Sequence, residues 1–170
     1  MRVKRTRLSP DSALHTLFKP SDFLDCYSVR VTDTAPPLHE IARRLFANRP
    51  IWLRALLAIR DCAVTPFGLK TTASLHTDDR KRDSVAIGQS IGFMRVHAIT
   101  DREILLGEDD RHLDFRLAVR READDPHAIS LATWVRTHNA LGRAYLRIIE
   151  PFHIGIVRSQ LAAIARSAKT

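Results

Sequence analysis

A chain of 170 residues with 45% hydrophobic and 27% charged content has the size and composition of one folded domain with its own core, which excludes wholesale disorder. No run of roughly 18 uncharged apolar residues occurs, so a membrane-spanning helix is excluded as well. The formal charge of +8 is concentrated in two stretches. Arg2, Lys4, Arg5, Arg7 and Lys19 stand against Asp11 alone near the N-terminus. Arg136, Arg143, Arg147, Arg158, Arg166 and Lys169 stand against Glu150 alone near the other end. A basic tail and helix raise the question of an anionic partner. With aromatic residues at 6% and no recognition motif, nucleic acid ranks last among the partners considered.

The first residues, Met1-Arg-Val-Lys-Arg-Thr-Arg7, resemble the basic start of a signal peptide. Ser9-Pro10-Asp11 interrupts where its apolar stretch should follow, so a cytoplasmic protein is expected. Cys26 and Cys62 are far apart, form no C-x-x-C pair, and read as small core residues.

Along the chain, residues 1–21 read as a basic extension in which Ala13, Leu14, Leu17 and Phe18 form a short helix stopped by Pro20. Residues 22–170 read as a single domain. Its first strand runs from Asp22 to Val31, with Phe23, Asp25, Tyr27, Val29 and Val31 on one parity and Leu24, Cys26, Ser28 and Arg30 on the other. Leu38, Ile41, Ala42, Leu45 and Phe46 recur at helical spacing until Asn48-Arg49-Pro50. A second helix follows over Ile51 to Ala63, closed by Pro66 and Gly68. From Lys70 to Asp83 the pattern is that of a loop or a weak strand.

Short strands then alternate with turns. Phe93 to Ile99 and Glu103 to Leu106 flank a compact hairpin turn, and Glu108 to Arg111 turns into a strand from His112 to Arg121. In that strand Leu113, Phe115, Leu117 and Val119 alternate with Asp114, Arg116, Ala118 and Arg120, the mark of a sheet with one apolar face. Ile129 to His138 completes a meander of four sequence neighbours. The chain ends in a helix from about Leu141 to Ala168. Its predicted stripe is Leu141, Tyr145, Ile148, Ile149, Phe152, Ile156, Leu161 and Ile164, and a kink is expected near Ile149 because Pro151 cannot donate. The fold class is therefore α+β. An antiparallel β-sheet in the order β-α-α-β-meander-α grips a long C-terminal helix, and a cavity is expected between helix and sheet.

Several short blocks carry a resemblance. Pro50-Ile-Trp-Leu, Leu57-Ala-Ile-Arg-Asp61, Phe67-Gly-Leu-Lys70, His112-Leu-Asp-Phe-Arg116, His138-Asn-Ala-Leu-Gly-Arg-Ala-Tyr145 and Pro151-Phe-His153 resemble, in that order, a bacterial family of unknown function. That family is similar to the START-like (SRPBCC) helix-grip superfamily, which includes polyketide cyclases and lipid carriers. The resemblance spans about Asp22 to Arg166 and implies the helix-grip fold, but no activity.

Candidate site residues follow from this arrangement. Asp114 and Arg116, two apart on a strand, point to the same side with Arg136 and His138. They form either a patch that orients a ligand carboxylate or carbonyl, with Arg116 as donor, or the solvent face of the sheet. His138 is either an acid–base group at a pocket mouth or an exposed neighbour of Asn139, the expected N-cap of the last helix. Trp52, Trp134 and Tyr145 either line a pocket or pack the core. Phe152 and His153 are placed at the cavity floor. Glu150 and His153 have a metal-ligand spacing, but in one copy beside a proline, so no metal and no cofactor is expected.

No G-x-S-x-G, Walker, G-x-G-x-x-G or H-E-x-x-H motif is present. The leading expectation is a monomeric or homodimeric protein that binds a small hydrophobic or amphipathic molecule through Asp114, Arg116, Trp134, His138, Tyr145, Phe152 and His153. The alternatives are a cyclase- or hydrolase-like enzyme using the same His, Tyr and Arg groups, and weak nucleic-acid binding through the basic tail.

Overall fold

The computed structural model of the chain describes residues 2–31, 36–47, 85–92 and 94–167. The second predicted helix, the loop after it, Trp52, Cys62 and the blocks between Pro50 and Lys70 lie outside the described residues.

The described residues form strands β1 (Lys4–Arg5), β2 (Phe23–Arg30), β3 (Ser90–Ile91), β4 (Met94–Ile99), β5 (Glu103–Asp109), β6 (Leu113–Arg121) and β7 (Ala128–Thr137). The helices are α1 (Leu38–Ala47) and α2 (Ala140–Ser167). All seven strands join one antiparallel sheet in the order β1-β2-β7-β6-β5-β4-β3. The meander expected from the short connections is present, and β2 returns beside β7 with Phe23 opposite Val135 and Arg30 opposite Ala128. The β5 strand runs three residues beyond its predicted end, through Asp109, so the turn falls at Asp110–His112.

Two edge strands escaped the pattern because each is two residues long. In β1, Lys4 and Arg5 of the basic tail pair with Ser28 and Tyr27, and the Thr6 amide donates to the Cys26 carbonyl at 2.9 Å. In β3, Ser90 and Ile91 pair with Arg95 and Met94 across a turn in which Gly92 has φ +66°, a conformation that favours glycine.

The sheet is apolar on both faces, which corrects the expectation of one apolar face. On its inner face Tyr27, Val29, Leu131, Val119, Leu106 and Val96 lie under Ile41 and Leu45 of α1 and under Val157, Leu161 and Ile164 of α2. On the outer face Cys26, Ala132, Ala118, Leu105 and Trp134 pack against Leu14, with Leu8, Ala13 and Leu17 beside it. Leu14 sits in a 3-10 turn, Ala13–Thr16, where the short helix was expected. Much of the outer row consists of alanine and cysteine, so one fully buried leucine closes it, and alternation between large and small residues hid this second layer.

The α2 helix has 28 residues, about 42 Å at 1.5 Å per residue, and it runs unbroken through Pro151. Its N-terminus is fixed as expected from Asn139. The Asn139 side-chain oxygen accepts from the Gly142 amide at 2.9 Å, and its Nδ2 donates to the Arg111 carbonyl at 3.2 Å. The predicted stripe needs correction. Of its eight residues only Leu161 and Ile164 are buried, whereas Leu141, Ile148 and Phe152 are exposed, Ile148 at 64%. The buried stripe is Val157, Leu161, Ile164 and Ala165, with Ile154 partly buried against it. Apolar residues occupy two sides of this helix, so periodicity alone could not choose the side that meets the sheet. Gln160 ties the helices together by donating to the Leu45 carbonyl near the end of α1 at 2.8 Å.

Candidate functional site

Residues of one parity on β2, β6 and β7 face away from α2, and their charged groups are matched pair by pair. Arg120 on β6, 4% exposed, lies beside Asp11 of the N-terminal segment and reaches Glu103 Oε2 at 3.4 Å. The other Glu103 oxygen accepts the Ala13 amide at 2.8 Å, so one buried network clamps the 3-10 turn onto the sheet. Burial works against the Arg120 charge, but the Asp11 and Glu103 carboxylates outweigh it and raise its pKa. Asp22 is held the same way. It accepts from Arg136 Nη2 at 2.8 Å, from the Trp134 indole at 2.9 Å and from the Lys19 amide at 2.9 Å. Burial would raise the Asp22 carboxyl, yet these donors keep it below its ordinary value. The Arg136 guanidinium also lies over the Trp134 ring, 4.9 Å from its centroid. Cys26 is buried in this layer, and burial pushes its thiol up to about 12.

The predicted site residues divide between the two faces. Asp114, Arg116, Trp134 and His138 belong to the outer face, away from α2. Asp114 and Arg116 do not pair with each other. Asp114 meets His138 Nε2 at 3.0 Å, and Arg116 meets Asp109 at 2.6 Å while donating to its own strand at the Phe115 carbonyl. Trp134 is 2% exposed and packed with Ala132, Ala118 and Leu14. Tyr145 stands edge-on to the buried His112 ring, 5.4 Å between centroids, and Phe152 is 47% exposed. His153 reaches the inner face. There its Nε2 lies 3.5 Å from Asp25 Oδ2, and its ring is edge-on to Phe23 at 6.2 Å.

That contact marks a group of residues the sequence reading had not singled out. Asp25 on β2 and Thr133 on β7 are register partners, with Leu117 of β6 next in the same row. Adjacent strands bring such side chains within about 5 Å at Cβ. Asp25 and Thr133 are each 5% exposed, and both Asp25 oxygens, Thr133 Oγ1 and His153 Nε2 are buried without a hydrogen bond. The flanking rows are apolar: Phe23, Val135 and Phe115 on one side, Tyr27, Leu131 and Val119 on the other. Phe23 and Phe115 are only half-buried, as are Leu146 and Ile149 on the turns of α2 before His153. The signal was in the sequence, where Asp25 occupies the parity of Phe23, Tyr27 and Val29. A carboxylate in the row that meets the core is costly unless something pairs with it.

A separate cleft of about 590 Å³ opens at the start of α1, lined by Leu38, His39, Ile99, Asp101, Ile104 and Arg121 among others. Its guanidinium is committed to backbone, donating to the Pro36 and Pro126 carbonyls at 2.9 Å each. Among the described residues no group of three or more His, Cys, Asp or Glu is arranged to hold a metal ion. Among the same residues no helix is long and apolar enough to cross a membrane.

The molecule is thus an α+β protein in which a seven-stranded antiparallel sheet carries a long C-terminal helix, with a polar group buried beneath that helix. The chain belongs to the family DUF2867, proteins of unknown function, whose sequence profile matches residues 17–160. That span includes Asp25, Thr133 and His153 and omits β1 and the 3-10 turn. No curated protein and no solved structure matches the chain.

Proposed function

We propose that the chain binds a small, largely apolar molecule between α2 and the sheet, with Asp25, Thr133 and His153 as its polar contacts. The observation that carries this reading is the buried Asp25 carboxylate, whose two oxygens have no hydrogen-bond donor. An unsatisfied buried polar group costs about 1–3 kcal/mol, and more when charged, so its retention argues for a partner the chain itself does not supply. The half-buried aromatic and aliphatic side chains at this end of the interface support an apolar body for that partner. The strand order, with β2 beside β7 and the long helix across them, agrees with the helix-grip arrangement that the sequence resemblance implies.

Native mass spectrometry of protein purified from its own host tests this reading. A bound mass is expected on the wild type and absent from the double variant Asp25→Leu, Thr133→Val. A wild type that travels as the bare chain overturns it.

An enzymatic reading has one observation in its favour, the same carboxylate–imidazole pair, in which Asp25 would orient His153 as a base. Arg116 and His138 lie on the other face and take no part. Recovery of the bound molecule chemically unchanged after prolonged incubation argues for binding, and its conversion argues for catalysis.

A further inference from the structure

The Asp25 site has a chemistry more specific than apolar binding, and the inference that follows rests on the reading of that site as a ligand site. We propose that its ligand is an amphiphile with a primary ammonium head, held by Asp25 and Thr133. An ionised carboxylate accepts hydrogen bonds and donates none. Asp25 offers two such oxygens, and Thr133 Oγ1 beside it offers a third acceptor, all three buried and without hydrogen bonds. A primary ammonium carries three donors and no acceptor, so its count matches this group. A guanidinium spreads five donors around a plane, so the edge that met Asp25 would leave donors on its other edges facing apolar rows, and an alcohol brings one donor and no charge. A carboxylate or phosphate head would meet Asp25 as a like charge in a poorly screened interior.

His153 of α2 is the titratable group recorded within ion-pair distance of Asp25. Its Nε2 at 3.5 Å stands beyond the roughly 2.7–2.9 Å of a charge-assisted hydrogen bond. The carboxylate is therefore not satisfied by its neighbour. The sheet rows around it, Phe23, Val135, Phe115, Tyr27 and Leu131, suit an alkyl or aryl body. Net charge works in the opposite direction: at +8 the chain attracts anions to its surface, so a preference for ammonium would have to come from the site.

The test is the affinity of four probes with one tail, n-octylammonium, n-octanol, n-octanoate and octyltrimethylammonium. It is followed by calorimetry and by the NMR resonances of the His153 ring at neutral pH. Octylammonium is expected to bind at least tenfold more tightly than octanol and than the trimethylated probe, which keeps the charge and lacks the donors, with octanoate weakest. Asp25→Asn, nearly isosteric, is expected to erase the tenfold preference while the fold, followed by circular dichroism, is retained. Thr133→Val should reduce that preference several-fold and checks the assignment should the first variant not fold.

Octanoate binding as tightly as octylammonium, or an ammonium preference that survives in Asp25→Asn, overturns the ammonium assignment and leaves the site standing. No binding by any probe, with a bound non-amine on the host-purified protein, overturns the assignment alone. No binding by any probe and no bound mass overturns the assignment and the ligand site together.

Discussion

Arg120 and Asp25 are both charged residues on long strands of one sheet, 4% and 5% exposed, and they are treated in opposite ways. Arg120, on the outer face, donates from Nη1 to Glu103 at 3.4 Å, and its Nη2 and Nε, which make no hydrogen bond, have the Asp11 carboxylate and, at 3.9 Å, that of Glu122 beside them. Asp25, on the inner face, has His153 at 3.5 Å and no hydrogen bond. The same contrast runs through their neighbours. Asp22, Arg136 and Trp134 bond one another outside, while Thr133 Oγ1 is left without a partner inside. Charge on the outer face is structural, since it fastens the N-terminal segment over a thin layer of small side chains. The unmatched acceptors on the inner face contribute no hydrogen bond to the fold.

If that contrast is right, the outer network should be costly to break. Arg120→Met leaves Glu103, 3% exposed, without its guanidinium, and is expected to cost about 3–5 kcal/mol in urea unfolding. A loss below about 1 kcal/mol would make the network ornamental and end the comparison. The next effect tests how tightly α2 is seated above the inner face. A Cβ on Gly142 would fall 2.0 Å from the His112 carbonyl oxygen, a backbone atom that cannot turn aside. Gly142→Ala should cost about 1–3 kcal/mol and shift the amide resonances of the first turn of α2, because the helix start must lift from β6.

Asp22→Ala should cost about 1–3 kcal/mol, since it strips acceptors from the Trp134 indole and the Arg136 guanidinium. Its pH dependence has a definite sign. The folded carboxyl lies below its ordinary value of 3.8, so its contribution is complete at neutral pH and is lost as pH falls below about 4 toward the folded value. Stability measured across that window should fall less steeply in Asp22→Asn than in the wild type.

Much of this frame was legible in the sequence, and the exceptions have physical reasons. Strand β6 was readable because apolar and polar residues alternate along it, β2 because it mixes aromatic and β-branched residues, and α1 because its apolar residues share one side. The Asn139 cap was readable from a short polar residue placed just before the helix. The two-residue strands β1 and β3 carry too few positions for any period, and their pairing is decided by the neighbouring strand. The side of α2 that meets the sheet was misread because Leu141, Ile148 and Phe152 form an apolar row opposite Val157 and Leu161. The site was half legible: His153 was named from its place on the helix, whereas Asp25 and Thr133 were passed over. Each reads as one polar residue in an apolar row, and only the register of β2 against β7 makes them neighbours.

The smallest expected effect on stability is also the sharpest test of the contrast. Asp25→Leu removes a buried carboxylate that no hydrogen bond repays and fills its place with methyl groups. Replacing an unsatisfied buried polar group by an apolar one of similar size is near neutral or stabilising, so the change should lie within about 1 kcal/mol of zero or raise stability by about 1–2 kcal/mol. Arg120→Met and Asp25→Leu each turn a buried charge into an uncharged, largely apolar side chain on the same sheet, yet the first should destabilise strongly and the second should not. Urea unfolding of both, on protein freed of any bound molecule, decides it. A loss of 3 kcal/mol or more for Asp25→Leu would mean that His153 at 3.5 Å already satisfies the carboxylate as a structural ion pair, and the inner face would then be as self-sufficient as the outer one.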